Sequence, residues 1–268
     1  MTPDEIRTAL ENPDSVRDQA FTIAKAISRL CHNEETLSTG REMVIRALDR
    51  ADSFSEMNGV LAALARQVGL FPYVEPSQLS LSDQIAYEFH RPLNLENGTK
   101  DIVFHREQAE VYRGLMSGQS YVLSAPTSFG KSLIVDALLA SYRYDDVAII
   151  VPTISLIDET RRRLSSFRGR YRVITHPSQE PGDKNIFVLT QERAIDRDDI
   201  EHLDLLVIDE FYKLEITSED GGDRAAILNH AFYKLRKKAK QIYLLGPSIQ
   251  GIPDGFGERF KCTFKRTD

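Results

Sequence analysis

Six short segments of this chain are dominated by apolar residues, and helix-like stretches separate them. They are YVLS at 121–124, VAIIV at 147–151, YRVIT at 171–175, NIFVL at 185–189, LDLLVI at 203–208 and QIYLL at 241–245. A strand that is apolar on both faces belongs in a sheet covered on both sides, which is the habit of parallel sheets. Parallel neighbours need a crossover, and a helix is the usual one. Helical intervals are expected from Lys131, from about Ser155 and from about Arg224 to Lys238. Right-handed crossovers then give an open, doubly wound α/β fold with a mainly parallel sheet.

Residues 1–95 read differently, as a small all-α domain preceding an α/β domain at 96–268. Val16, Ala20, Ile23, Ile27 and Leu30 recur at helical spacing, and Asp14 and Ser15 are the expected N-caps. A second stripe uses Met43, Val44, Ala47, Leu48 and Ala51. A third uses Met57, Val60, Leu61, Leu64 and Val68, and Gly69 and Pro72 stop it. A short helix is expected over Ser82 to Glu88. The polar stretch from His90 to Asp101, with Pro92 and the Asn97-Gly98 pair, reads as a turn or linker.

The net charge of -6 gives no global attraction to nucleic acid or to anionic membrane, so any nucleic-acid site must be a local patch. Two cysteines, Cys31 and Cys262, lie far apart without metal-ligand spacing. The acidic start MTPDEIRTALENPD has no apolar core of a signal peptide, and no apolar run approaches the length of a membrane span. A reducing cytoplasmic setting with no membrane partner is the expectation.

Ser124 to Ser132 reads SAPTSFGKS, between an apolar strand and the helical LIVDALLASY. A phosphate-binding loop has the pattern GxxxxGK[ST], and here Ala125 stands at the first glycine. The later part matters most. Gly130 lets successive N–H groups turn toward phosphate oxygens, and the following helix adds its positive end. Lys131 supplies a mobile charge for the outer phosphates, and Ser132 a hydroxyl for Mg²⁺. A chance strand–helix turn is the competing explanation, and the flanking elements argue against it. Asp209 and Glu210 close the apolar run LDLLVI, at the edge of the sheet where ligands bind in open α/β folds. Asp209 would hold Mg²⁺ and Glu210 would polarise the attacking water. A surface acid pair capping a helix is the alternative, and it does not usually follow so apolar a strand.

Together these segments resemble the first RecA-like domain of a superfamily 2 (DExD/H-box) helicase. APTSFGKS, residues 125–132, resembles the family's A-x-T-G-x-G-K-[ST], which itself begins with Ala, so the resemblance places Ala125, Pro126, Thr127, Ser128, Phe129, Gly130, Lys131 and Ser132 around the phosphates. Phe104 and Gln108 resemble the upstream adenine-reading element, which implies ATP with Mg²⁺ as the cofactor pair. Pro152, Thr153 and Leu156 resemble motif Ia, and TQER, Thr190 to Arg193, resembles motif Ib. DEFY, Asp209 to Tyr212, resembles DExD/H, with Tyr212 replacing the fourth Asp or His. GPS, Gly246 to Ser248, stands where the coupling motif III sits, and keeps one hydroxyl in Ser248. The wording is similar to the branch of RNA-exosome and archaeal repair helicases. It is also similar to bacterial anti-phage defence helicases in which a helical region precedes the motor.

The resemblance implies that Pro152, Thr153, Thr190 and Arg193 touch a sugar-phosphate backbone, single-stranded or duplex, without reading sequence. Two basic runs, Arg161 to Arg163 with Arg168, Arg170 and Arg172, and Lys234 to Lys240, are expected to be mostly solvated helix faces and helix ends. The histidines show no metal-ligand spacing and are expected on the surface or in packing. The family uses two RecA-like domains, and the twenty residues after Ser248 are too few for the second. The chain is expected to be the first motor domain of a helicase or translocase, slow at hydrolysis without a second RecA-like domain in the same or another chain. The alternative is a nucleotide-gated regulatory module, for which the helical domain would dock a protein partner.

Overall fold

The computed structural model describes residues 1–75, 81–97, 100–215 and 223–267. They gather into two compact units: Met1–Pro92 with Glu96–Ala109, and Leu93–Leu95 with Glu110–Asp268.

The first unit is helical: α1 Pro3–Glu11, α2 Pro13–Cys31, α3 Leu37–Leu48, α4 Ala51–Phe54, α5 Asn58–Gln67 and α6 Leu81–Glu88. A reciprocal box opens α1: the Thr2 hydroxyl accepts from Glu5 N, and the Glu5 carboxylate accepts from Thr2 N. The caps expected for α2 are corrected. Asp14 and Ser15 lie inside the first turn, and the cap is Asn12, whose Oδ1 accepts from both their N–H groups. Pro13, with no N–H to satisfy and a fixed φ, suits the first helical position and moves the start forward. Gly69, at φ +79°, follows α5. The third stripe thus ends where glycine was expected to end it. Ile6, Val16, Ile23, Ile27, Met43, Val44, Phe54 and Leu61 form the buried core. A short antiparallel pair, β1 Glu96–Asn97 and β2 Lys100–Asp101, occupies the expected turn, whose Gly98 lies outside the described residues. Helix α7, Arg106–Met116, carries the division between the units within it.

The second unit is a seven-stranded sheet in which every pairing is parallel. The strands are β3 Ser120–Ser124, β4 Asp146–Ile150, β5 Arg172–Ile174, β6 Asn185–Leu189, β7 Leu203–Ile208, β8 Ala239–Gly246 and β9 Cys262–Arg266, ordered β5-β6-β4-β7-β8-β3-β9. The helices are α8 Lys131–Ala140, α9 Ile154–Arg163, α10 Gln191–Ile195, α11 Asp223–Arg236 and α12 Phe256–Phe260. All six apolar segments are strands. The edge strand β9 has no apolar run to announce it, because an edge strand is only partly covered. Val122, Ala148, Ile150, Leu206, Ile208 and Leu244 pack with Leu228, Phe232 and Leu235 of α11 in one large core cluster. Among the described residues no helix is long and apolar enough to cross a membrane.

The basic runs are largely structural. Arg161 pairs with Asp158, and Arg163 with Asp136. Lys234 and Lys240 pair with Asp198 and Asp204, and Lys238 donates to the Ile200 carbonyl.

Candidate functional site

Strands β3, β8 and β7 lie side by side, so the loops leaving them open on one edge of the sheet. The loop after β3 starts at the buried Ala125, whose N–H donates to the Gly246 carbonyl of β8 at 3.2 Å. Thr127–Phe129 makes a single 3₁₀ turn, with Thr127 and Ser128 exposed. Gly130 follows at φ +78°, ψ 35°, the left-handed region that glycine enters without strain, and α8 starts at the next residue. No side chain caps this helix. Its first N–H groups are therefore the kind an anion satisfies. Lys131 folds over the loop and donates to the carbonyls of Ala125 and Pro126 at 2.6 and 2.9 Å. Burial pulls the Lys131 pKa down, and the Asp209 carboxylate acts against that. Ser132 is exposed, and its carbonyl accepts from Arg163.

Asp209 closes β7. Its N–H donates to Ile150 O, and its Oδ1 accepts from Glu210 N at 2.9 Å. Burial raises its pKa, the Glu210 N–H lowers it, and the Glu210 charge raises it; Lys131 and Arg163 lower it further. A half-buried carboxylate with one backbone donor fits a divalent cation, which would offset the cost of desolvating the charge. Ser132, at the first turn of α8, is the hydroxyl that would accompany it. Glu210 stands at φ +55°, a strained conformation for a residue with a side chain, and its carboxylate is ion-paired to Lys213. Phe211 turns inward onto Gly246, and Tyr212, at the fourth position of the motif, is exposed.

The loop after β8 is held from β3. Ser124 is fully buried; its hydroxyl accepts from Ile249 N at 2.8 Å and is within 3.1 Å of Pro247 O and 3.3 Å of Ile249 O. Ser248, between those two residues, is exposed. The residue before the Ala125–Ser132 loop thus grips the segment of the expected coupling motif on both sides of its serine.

A second cleft lies at the ends of β4 and β6. Pro152, Thr153, Thr190 and Arg193, the four residues expected at a nucleic-acid backbone, line it together with Glu192 and Arg224. Thr153 caps α9, its hydroxyl accepting from Leu156 N at 3.3 Å. Thr190 precedes α10, and Arg193 donates to Thr175 O at 2.7 Å. Arg224 donates to Pro152 O at 2.9 Å.

Phe104 and Gln108 belong to the first compact unit. Phe104 is fully buried, and Gln108 Oε1 accepts from His105 N at 2.9 Å, across the start of α7. Sequence reasoning gave Ser124, Phe211 and Gly246, which lie within the quoted segments, no role of their own, and did not single out Arg224 at the candidate site. Ser124 looked like the last residue of a strand. Gly246 looked like the start of a loosely matched motif. Arg224 lies outside every motif and carried no signal.

Residues 105–246 match the family model described as DEAD/DEAH box helicase, and residues 1–84 match that of the anti-bacteriophage protein B N-terminal domain. Anti-bacteriophage protein B of Escherichia coli (strain K12) is 41% identical over 259 residues, covering 93% of this chain and 35% of that protein. The chain therefore spans 35% of the relative's length. Among solved structures, the Sulfolobus solfataricus SWI2/SNF2 ATPase core in complex with dsDNA superposes with a TM-score of 0.45 at 19% identity, over 60% of this chain and 34% of that one. The UvsW helicase from Bacteriophage T4 superposes at 0.42 and 18% identity, over 78% of each chain.

Proposed function

The chain belongs to the DEAD/DEAH box helicase family, and from that premise we propose that it is the ATP-binding first motor domain of an ATP-dependent nucleic-acid helicase or translocase. It would hydrolyse efficiently only with a second RecA-like domain. The observation that carries this reading is geometric: the left-handed Gly130 and the uncapped start of α8 follow β3, and Asp209 follows β7, on the same edge of one parallel sheet.

The roles follow from the local chemistry. The left-handed Gly130 and the uncapped first turn of α8 present N–H groups to the phosphates of ATP. Lys131 exchanges two loop carbonyls for phosphate oxygens. Ser132 and Asp209 would hold Mg²⁺, which when bound polarises the terminal phosphate. Glu210, ion-paired to Lys213, orients the attacking water and accepts its proton. The adenine role of Phe104 and Gln108 is part of this proposal and rests on their motif. The cleft of Pro152, Thr153, Thr190 and Arg193 would take a nucleic-acid backbone irrespective of sequence. The name of the 41% identical relative supports a role in defence against phage.

Steady-state turnover tests the reading. The arginine that a second domain would supply is worth about 10³–10⁵ in rate in related phosphate-loop systems. The chain alone should therefore turn ATP over well below about 1 s⁻¹, the low end for complete enzymes. Glu210→Gln should abolish the residue of activity while nucleotide still binds. Turnover that Glu210→Gln leaves intact would contradict the mechanism.

A further inference from the structure

We propose that Arg224 is a positioning residue for strand binding: it holds the carbonyl of Pro152 and gives its remaining charge to a nucleic-acid phosphate in the cleft of Thr153, Thr190 and Arg193. The proposal rests on the nucleic-acid reading above and deepens it.

A guanidinium carries five N–H donors in a rigid plane and stays charged at every physiological pH. Arg224 spends one nitrogen, Nη2, on Pro152 O at 2.9 Å. Pro152 immediately precedes Thr153, the N-cap of α9, so this bond fixes the turn from which α9 starts. Among the described residues Arg224 pairs with no carboxylate, whereas Arg161, Arg163 and Arg197 each do. Among the described residues, then, no acid neutralises its charge. Glu192, the acid in the same cleft, already accepts from Gln191 at 2.8 Å.

A second observation points to a ligand. Thr190 lines the cleft, is 5% exposed, and its side chain makes no hydrogen bond among the described residues. A cleft-lining hydroxyl with no partner among the described residues is free to donate to a ligand oxygen. A phosphate oxygen placed between Thr190 and Arg224 would satisfy it. The Arg224 side chain also lines the adjoining cleft that contains Asp209 and Lys213. The same side chain thus borders both the carboxylate site and the strand site. A strand that draws on its guanidinium pulls on Pro152, two residues beyond Ile150, whose carbonyl holds the Asp209 N–H.

The test is fluorescence anisotropy of the chain with labelled dT20 and U20 oligonucleotides over 25–200 mM salt. Single-strand affinity falls with salt at a slope of about −0.7 per phosphate contact. Arg224→Gln keeps a donor for Pro152 and removes the charge. It should weaken binding about tenfold and flatten the slope by about 0.7. Arg224→Lys keeps the charge and should restore the slope but not the full affinity. Should Arg224→Gln fail to fold, Arg224→Met is read for the salt slope alone, since it removes the donor to Pro152 as well as the charge. Wild-type binding with an unchanged slope in the uncharged variant would overturn the role of Arg224 and leave the nucleic-acid reading standing. Absence of binding to either oligonucleotide at 25 mM salt by the wild-type chain would overturn both.

Discussion

The ring of Phe211 lies flat enough against Gly246 that a Cβ on the glycine would sit 2.7 Å from one ring carbon and 2.9 Å from another. Phe211 belongs to DEFY after β7, and Gly246 ends β8 where GPS begins. In helicases of this family the fourth residue of the acidic motif links it to the coupling motif. Here that residue is the exposed Tyr212, and the third residue makes the contact instead. Gly246→Ala should therefore force the buried ring aside and destabilise the chain by about 1–3 kcal/mol, the usual cost of overpacking. Adding Phe211→Ala should recover part of that loss, since the smaller side chain leaves room. Denaturant melts of the single and double variants check this; strictly additive losses would count against the contact.

Ser124→Ala removes the hydroxyl that holds Pro247 and Ile249. The Ile249 N–H loses its acceptor, which costs about 1–3 kcal/mol where the group stays buried. Hydrogen exchange at Ile249 should accelerate, while exchange in the interior of α8 should not. Unchanged protection at Ile249 would show that the loop is held by something else.

Tyr243 in β8 is fully buried, and its hydroxyl has no hydrogen-bond partner among the described residues. Burial, with the nearby Asp209 charge, pushes its pKa well up. Removing a buried hydroxyl that is not hydrogen-bonded relieves a desolvation cost of about 1–3 kcal/mol. Tyr243→Phe should melt at a higher temperature than the wild type. A lower melting temperature would mean that the hydroxyl is satisfied.

The six apolar segments made the parallel sheet legible, because a strand buried on both faces must be apolar throughout. The position of Gly130, Lys131, Asp209 and Glu210 at the sheet edge was legible for the same reason, since they interrupt that pattern abruptly. Contacts between loops were not legible. Phe211 on Gly246, Ser124 on Ile249 and Arg224 on Pro152 join residues 35, 125 and 72 apart, and no local pattern encodes such pairs. Strand β9 escaped because an edge strand needs no apolar run. The cap of α2 escaped because Pro13 shifted the helix start.

Burial lifts the Cys31 thiol from 9.0 to about 11. Its folded value lies above the unfolded one, so the fold favours the protonated thiol. That contribution is complete below about pH 9 and is lost as pH rises toward 11. Stability should fall across this window, and less steeply in Cys31→Ala. Parallel pH profiles for the two proteins would show that Cys31 takes no part.

The central claim is that Lys131 and Asp209 bind the phosphates and metal of ATP. Titration calorimetry of ATP into the chain with Mg²⁺, beside Lys131→Ala, tests it most directly. A charge-assisted hydrogen bond is worth about 1.5–3 kcal/mol, so Lys131→Ala should bind about ten- to a hundredfold more weakly, and chelating Mg²⁺ should weaken the wild type as well. Equal affinities for the two proteins, or no heat of binding from the wild type, would contradict the account.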